Sequence, residues 1–208
     1  IFGTQYHEFP DTGDVPLVVD MSSDMLSRQL DWSKFDLIFA GAQKNLGPAG
    51  ATLVIISDAM LEKCGDSLPM MLNYKGFAAK DSLGNTPPAF SIFVVGLVLE
   101  WIEEQGGLAA MEKHNIKKAG LLYDLFDGND FFRPTAEKDS RSLMNVPFRL
   151  PSEELEKKLI AEATLAGFVG IKGHRSVGGL RASIYNAMPI EGIEQLVDYL
   201  QKFAAANG

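Results

Sequence analysis

The stretch GAQKNLGPAG, residues 41–50, places Lys44 in a loop of small residues and glycines. The apolar run DLIFA (36–40) precedes this loop, and ATLVIIS (51–57) follows it. Such runs are typical of buried strands. A lysine between two buried strands is unusual because an ammonium group is costly to bury unless it is paired or neutralised. Taken alone, a lysine in this setting is more often structural than catalytic, so the rest of the chain has to decide.

A second strand ends in an acid. The run PLVVD (16–20) predicts a short buried strand of a parallel sheet, with Asp20 at its carboxyl end. Ligands bind at that edge in open α/β sheets, and Lys44 follows the carboxyl end of the next strand. The alternative is that Asp20 is a helix N-cap or turn residue. The run 51–57 returns after a tight turn, which predicts an antiparallel partner for the strand before it.

Composition excludes several classes of function. The chain has 208 residues, 46% of them hydrophobic, and a net charge of −8 without a basic stripe, so nucleic-acid binding is disfavoured. The single cysteine, Cys64, suits a reducing cytoplasm, and no apolar run has membrane-spanning length. The chain opens IFGTQYHEFP, which resembles mid-domain sequence. We therefore expect a missing N-terminal segment of the same polypeptide.

The remaining pattern predicts an α/β region, residues 1–107, followed by a small C-terminal α+β domain, residues 108–208. An apolar helix at 90–107 should be buried, and residues 65–89 should be irregular. Further helices are predicted at 58–64, 108–128, 152–167 and 189–206, and further strands at 144–150, 168–173 and 180–186.

The lysine and the acid together fit pyridoxal 5′-phosphate (PLP) chemistry. Such enzymes need a Schiff-base lysine, an acid facing the pyridinium nitrogen and donors for the phosphate. Lys44 and Asp20 match the first two needs, and Gln43, Asn85 and Thr86 offer neutral phosphate donors. For Asn85 and Thr86, a turn and helix N-cap is an equally weighted alternative.

The stretch KGHRSVGGLRAS, residues 172–183, carries three basic side chains around a glycine pair. A planar guanidinium binds a carboxylate through two hydrogen bonds, so Arg181 on a strand is a candidate carboxylate clamp. His174 and Arg175 form a candidate anion site. The alternative is a surface charge cluster, with Arg181 paired to a core acid.

These motifs resemble one family. GAQKNLGPAG, VVDMSS, NTPP, MNVPF and GHRSVGGLRASIYNAMP together are similar to the phosphoserine aminotransferase family, in the class-V branch of fold-type I PLP enzymes. The resemblance runs over essentially the whole chain in the family's order. It implies the second half of a large PLP-binding domain with a mainly parallel sheet, followed by most of the small domain.

The resemblance also implies residue roles. Lys44 would hold PLP covalently and shuttle the substrate proton, and Asp20 would bond the ring nitrogen. Gln43 would bind the phosphate, joined by Asn85 and Thr86 from the other subunit of a homodimer. For the substrates, the resemblance implies that Arg181 binds the α-carboxylate. His174 and Arg175 would bind the side-chain phosphate of phosphoserine or the γ-carboxylate of glutamate.

The resemblance implies a reaction that passes the amino group of glutamate through the cofactor to 3-phosphohydroxypyruvate, in serine biosynthesis, with a second role in pyridoxine biosynthesis. The family's ring-stacking aromatic residue, a glycine–alanine phosphate turn and a second basic substrate pair are missing from the chain. Three alternatives stay open: another class-V transaminase of the serine–glyoxylate or alanine type, a phosphate-binding module, and a non-catalytic remnant that retains the dimer surface.

Overall fold

The computed structural model describes residues 1–208, which divide into two compact units: Pro10–Leu108, and Ile1–Phe9 with Ala109–Gly208. The strands are β1 (Val18–Asp20), β2 (Leu37–Gly41), β3 (Thr52–Ile56), β4 (Arg133–Pro134), β5 (Asn145–Arg149) and β6 (Leu180–Ser183). The helices are α1 (Asp58–Glu62), α2 (Tyr74–Ala78), α3 (Ala89–Glu104), α4 (Gly107–Asp127), α5 (Glu153–Leu165) and α6 (Ile190–Asn207). None of the helices is both long enough and apolar enough to cross a membrane.

The unit Pro10–Leu108 contains a three-stranded sheet in the order β1-β2-β3. β1 pairs with β2 in parallel, and β2 pairs with β3 antiparallel, as the sequence predicts. The expectation that these strands are buried is correct only for β2, in which three of five residues are buried and the other two are partly buried. Val18 on β1 is 48% exposed and Ile55 on β3 is 42% exposed. β2 is the central strand of this sheet, with a hydrogen-bonded neighbour on each side, whereas β1 and β3 are its edges.

The helix α3 is not buried as predicted. Phe90, Phe93 and Leu97 are 73%, 62% and 46% exposed, whereas Ser91 and Ile102 are buried. A helix that is apolar on all sides needs neighbours on all sides, and its own unit covers only part of its surface.

The prediction that residues 65–89 are irregular is wrong in part. A short 3₁₀ helix forms at Met70–Leu72, and α2 follows directly. The side chain of Asn73 accepts a hydrogen bond from the backbone N–H of Gly76 at 3.1 Å. This N-cap explains why a helix begins in a segment without a clear apolar period.

The other unit contains the antiparallel sheet β4-β5-β6 and the helices α4, α5 and α6. Its core is formed by apolar residues of these elements, including Leu122, Phe148, Leu159, Leu180 and Leu200. The helix α5 begins as the sequence predicts, because the Ser152 side chain accepts a hydrogen bond from the backbone N–H of Leu155 at 3.3 Å.

One strand prediction fails in this unit, and one strand was missed. Residues 168–173 form no strand, only an isolated bridge between Lys172 and Leu180, and Gly170 has φ +80°, which is outside the extended region. The short strand β4 was not predicted.

The first nine residues group with this unit, because a bridge joins Thr4 to Arg141 and the N–H of Ser142 donates to Gly3 O at 2.8 Å. The domain division after residue 107 stays a prediction.

Candidate active site

The loop that carries Lys44 is closed by its own backbone and anchored by its neighbours. The N–H of Gly47 donates to the carbonyl of Ala42 at 2.8 Å. Asn45 is buried and its amide donates to the carbonyl of Met25 at 3.1 Å, while Leu46 is only 1% exposed. Lys44 itself is exposed and makes neither an ion pair nor a hydrogen bond in this chain. The rigid loop therefore presents an amine that is free to bind a ligand.

Asp20 lies at the same sheet edge. In the parallel pairing of β1 and β2 it is opposite Phe39, so the carboxyl ends of both strands lie together. Its Oδ1 accepts the N–H of Ser22 at 2.8 Å, and the Ser22 hydroxyl accepts the N–H of Gly41 at 2.9 Å. Asp20 therefore acts as a turn residue, as the alternative proposed, but through only one of its two carboxylate oxygens. The other oxygen, Oδ2, has no partner in the chain and can accept a hydrogen bond from a ligand.

The expected phosphate donors are exposed. The amide oxygen of Gln43 lies so close to Gly41 that a Cβ there would be 2.6 Å away. Asn85 Nδ2 donates to the Thr86 carbonyl at 3.0 Å. The N-cap position of α3 is Pro88, without a side-chain cap, so the alternative that Asn85 or Thr86 caps this helix is wrong. No hydrogen bond joins Asn85 or Thr86 to the loop of Lys44 within this chain.

The helix that follows Asn85 and Thr86 is joined to the lysine loop by its first turn. The Ser91 hydroxyl donates to the carbonyl of Ala49 at 2.9 Å. Gly50 has φ +111°, and a Cβ there would lie 3.2 Å from Ser91 Oγ. A glycine is therefore required where the loop meets the helix.

Arg181 lies on β6 in the other unit and has no acidic partner. Its backbone is opposite Pro147 in the β5–β6 pairing, and its N–H donates to the carbonyl of Ile171 at 2.8 Å. The guanidinium Nε is buried and has no hydrogen-bond partner. The alternative of an arginine paired to a core acid is therefore wrong. An unpaired buried donor is costly, and a bound carboxylate would satisfy it.

Arg181 is one of the residues that line a cavity of about 330 Å³. Ile171, Ser183 and Met188 are among its other lining residues. The cavity belongs entirely to the unit that contains Arg181.

The loop with His174 and Arg175 is a closed turn. The backbone N–H groups of Val177 and Gly178 donate to the carbonyl of His174 at 2.9 and 2.8 Å. His174 Nδ1 accepts the N–H of Ser176 at 3.2 Å, so in the neutral ring the proton is on Nε2. Arg175 is exposed and unpaired. Two donors are thus available for an anion at this turn.

Sequence reasoning missed two residues that support these segments. Lys118 on α4 is fully buried, and its ammonium donates to the carbonyls of Ile184 and Tyr185 at 3.1 and 2.7 Å, directly after the strand of Arg181. Arg149 on β5 contacts the loop of His174 through the carbonyl of Val177 at 3.3 Å. Nothing in the local pattern distinguishes either one from a solvated basic residue.

The residues present fit PLP by the chemistry of their donors. An unpaired amine and a carboxylate with a free oxygen share one sheet edge, and a loop with neutral donors follows. The other unit adds Arg181, whose buried Nε has no hydrogen-bond partner. These observations support the predicted site residues, whose individual roles stay predictions.

Comparison with known protein families shows the class of protein to which this chain belongs. Residues 4–196 match the family model for aminotransferase class-V, so the chain belongs to the class-V aminotransferase family.

Several similar proteins within this class are phosphoserine aminotransferases. The phosphoserine aminotransferase of Desulfosudis oleivorans is 60% identical over 209 residues, which cover 100% of this chain and 58% of that protein. The structure of phosphoserine aminotransferase from Bacillus circulans subsp. alkalophilus matches with a TM-score of 0.97 and 53% identity, over 100% of this chain and 58% of that one. PLP-bound phosphoserine aminotransferase from Trichomonas vaginalis matches with a TM-score of 0.90 and 40% identity, over 96% and 57% of the two chains.

The chain thus spans less than three fifths of the length of the curated relatives that it matches. The predicted family resemblance is confirmed. The predicted fold class, part of a fold-type I PLP-dependent transferase with mixed α and β structure, is confirmed as well.

Proposed function

We propose that this chain provides the larger part of a phosphoserine aminotransferase. The reaction is the PLP-dependent transfer of the amino group of glutamate to 3-phosphohydroxypyruvate, in serine biosynthesis, with a further role in the pyridoxine pathway. The observation that carries this proposal is the pairing of β1 with β2. It brings an unpaired lysine and a carboxylate to one edge of a sheet, in a chain 60% identical to a phosphoserine aminotransferase.

In this proposal each candidate residue of the unit that contains Lys44 has a defined role. PLP, when bound, supplies an electron sink for bond changes at the substrate α-carbon. Lys44 Nζ holds the cofactor and moves the proton at that carbon. Asp20 Oδ2 accepts a hydrogen bond from the protonated ring nitrogen, while Gln43, Asn85 and Thr86 donate to the phosphate. The Asp20–Ser22 hydrogen bond supports this assignment, because it orients the carboxylate before any ligand binds.

The basic residues of the other unit would bind the substrate. Arg181 binds the α-carboxylate, which satisfies its buried Nε. His174 Nε2–H and Arg175 bind the side-chain phosphate of phosphoserine or the γ-carboxylate of glutamate. A guanidinium and an imidazole N–H are both suitable donors for these anions.

The proposed active form is a homodimer in which Asn85 and Thr86 serve the site of the other subunit. The exposed apolar side chains of α3, directly after these residues, support a partner surface there. The segment expected before Ile1 and the cytoplasmic location stay predictions.

A spectrum of the full-length protein with PLP tests the proposal. We expect a visible absorbance band that borohydride bleaches, and its loss together with all turnover in Lys44→Ala. Phosphoserine should convert the cofactor faster than alanine does. Faster conversion by alanine would favour another class-V transaminase, and a colourless protein would favour the non-catalytic remnant or the phosphate-binding module.

A further inference from the structure

Arg149 at the end of β5 bridges two segments through one guanidinium. Its Nε donates to Glu156 Oε1 at 2.6 Å, and its Nη1 donates to the carbonyl of Val177 at 3.3 Å. The carboxylate therefore fixes the same guanidinium that contacts the backbone of the loop with His174 and Arg175.

The acidic partner is itself held firmly. Glu156 lies in the first turn of α5 and is 6% exposed. Its Oε1 also accepts the backbone N–H of Leu150 at 3.3 Å. A buried carboxylate with two fixed donors has little freedom to move. Glu156, in the first turn of α5, therefore fixes the orientation of the Arg149 guanidinium.

The loop backbone lies directly on the Arg149 side chain. Gly179 has φ +65°, and a Cβ at this position would lie 2.5 Å from Arg149 Cδ and 2.8 Å from the carbonyl oxygen of Phe148. The N–H of Gly173 donates to the carbonyl of Gly179 at 2.9 Å, which closes the loop at its base. Only a glycine permits this approach, so the position of the loop depends on where the arginine lies.

The contact reaches the anion-binding residues through the turn. Val177 accepts from Arg149 through its carbonyl and donates through its N–H to the carbonyl of His174 at 2.9 Å. Arg175 is the next residue after that carbonyl. A displacement of Val177 would therefore displace both side chains proposed to bind the substrate anion.

We propose that Arg149, held by Glu156, is a positioning residue that sets the His174–Gly179 loop and thereby the affinity for the substrate's side-chain phosphate. This inference rests on the proposed function. Arg149 touches neither substrate nor cofactor in this scheme, and its effect passes entirely through the loop.

The test uses Arg149→Lys in the PLP-loaded full-length enzyme. A lysine keeps a positive charge beside Glu156 but lacks the second arm of the guanidinium that reaches Val177. We expect the KM for phosphoserine to rise about tenfold, with kcat within about twofold of the wild type, because one positioning hydrogen bond is lost. The matched control is Arg133→Lys, since Arg133 lies opposite Arg149 on β4 and has no ion pair. It should leave both constants unchanged.

A combined variant separates positioning from general destabilisation. Because Arg149 acts through the loop that carries His174 and Arg175, Arg149→Lys should change the phosphoserine KM less than about twofold in a background with both His174→Ala and Arg175→Ala. Additive effects, a wild-type KM in Arg149→Lys, or an equal change in Arg133→Lys would each overturn the inference. Failure of the wild-type enzyme to convert phosphoserine would instead overturn the proposed function, and the inference with it.

Discussion

At the scale of single residues, Lys118 shows how a buried charge can support the end of a strand, here the one that carries Arg181. Its side chain is fully buried and no acid pairs with it; the ammonium instead donates to three successive backbone carbonyls, those of residues 184–186. These carbonyls follow β6, which ends at Ser183, three residues before the predicted strand end. The lysine takes acceptors that a longer strand would have used, and it joins α4 to the strand that carries Arg181.

Burial lowers the pKa of Lys118 from 10.5 to about 8. Between those values the unfolded chain binds a proton that the folded chain has released, so the free energy of unfolding should rise with pH. From pH 8 to 9.5 we expect a gain of about 2 kcal/mol in urea denaturation, absent in Lys118→Met. Lys117→Met, the exposed neighbour, should keep the full gain. A wild-type stability that is flat over this range would contradict the prediction. The range stops below pH 10 because burial raises the pKa of Tyr123. At higher pH this tyrosine ionises in the unfolded chain before it does so in the folded one, which lowers the free energy of unfolding.

Arg175 should discriminate between the two substrates of the proposed reaction. It is exposed and unpaired on a turn whose neighbour His174 is oriented by the N–H of Ser176. A phosphate carries more charge than a carboxylate, so Arg175→Ala should raise the KM for the phosphorylated substrate about tenfold and the KM for glutamate less. Steady-state kinetics with each substrate measure this, with Lys172→Ala as the nearby control. Equal increases for both substrates would leave the assignment of Arg175 without support.

At the scale of elements, local signals predicted those helices and strands whose ends are set by nearby residues. The helix α5 begins where Ser152 caps it, and β2 is central because the apolar run 36–40 has a strand on each side. The segment 168–173 has an apolar, strand-like composition, yet a glycine with positive φ prevents it from pairing beyond one bridge. Its composition alone could not reveal that conformation.

The cap of α5 should contribute measurably to stability. Ser152→Ala removes the acceptor for the N–H of Leu155, and we expect a loss of about 1 kcal/mol in the free energy of unfolding. Ser152→Thr retains the hydroxyl and should lose much less. Chemical denaturation of the three proteins measures both effects, and an equal loss for alanine and threonine would argue that the cap is not the cause.

At the scale of the whole molecule, a homodimer with shared sites predicts complementation between inactive subunits. Lys44→Ala removes the lysine of its own site, whereas Asn85→Ala with Thr86→Ala would impair the site of the partner. In a mixed dimer, one site carries both sets of substitutions and the other site carries none. About half of the dimers in a random mixture are mixed, so activity should recover to about a quarter of the wild type. Refolding or coexpression of the two variants, followed by a transamination assay, measures the recovery. No recovery, with mixed dimers shown by mass spectrometry, would contradict sharing of the site.

What the sequence by itself determined is the pair of strand ends with Asp20 and Lys44, the parallel pairing that joins them, and the start of α5, because each depends on spacing along the chain. Only the tertiary structure decided that Arg181 has no acidic partner, that α3 is largely exposed and that Lys118 and Arg149 donate to the backbone of the segments proposed to bind substrate. These features arise between residues far apart in sequence. Local periodicity cannot encode such contacts, since the same lysine or arginine would fit a solvated surface equally well until the packing around it is known.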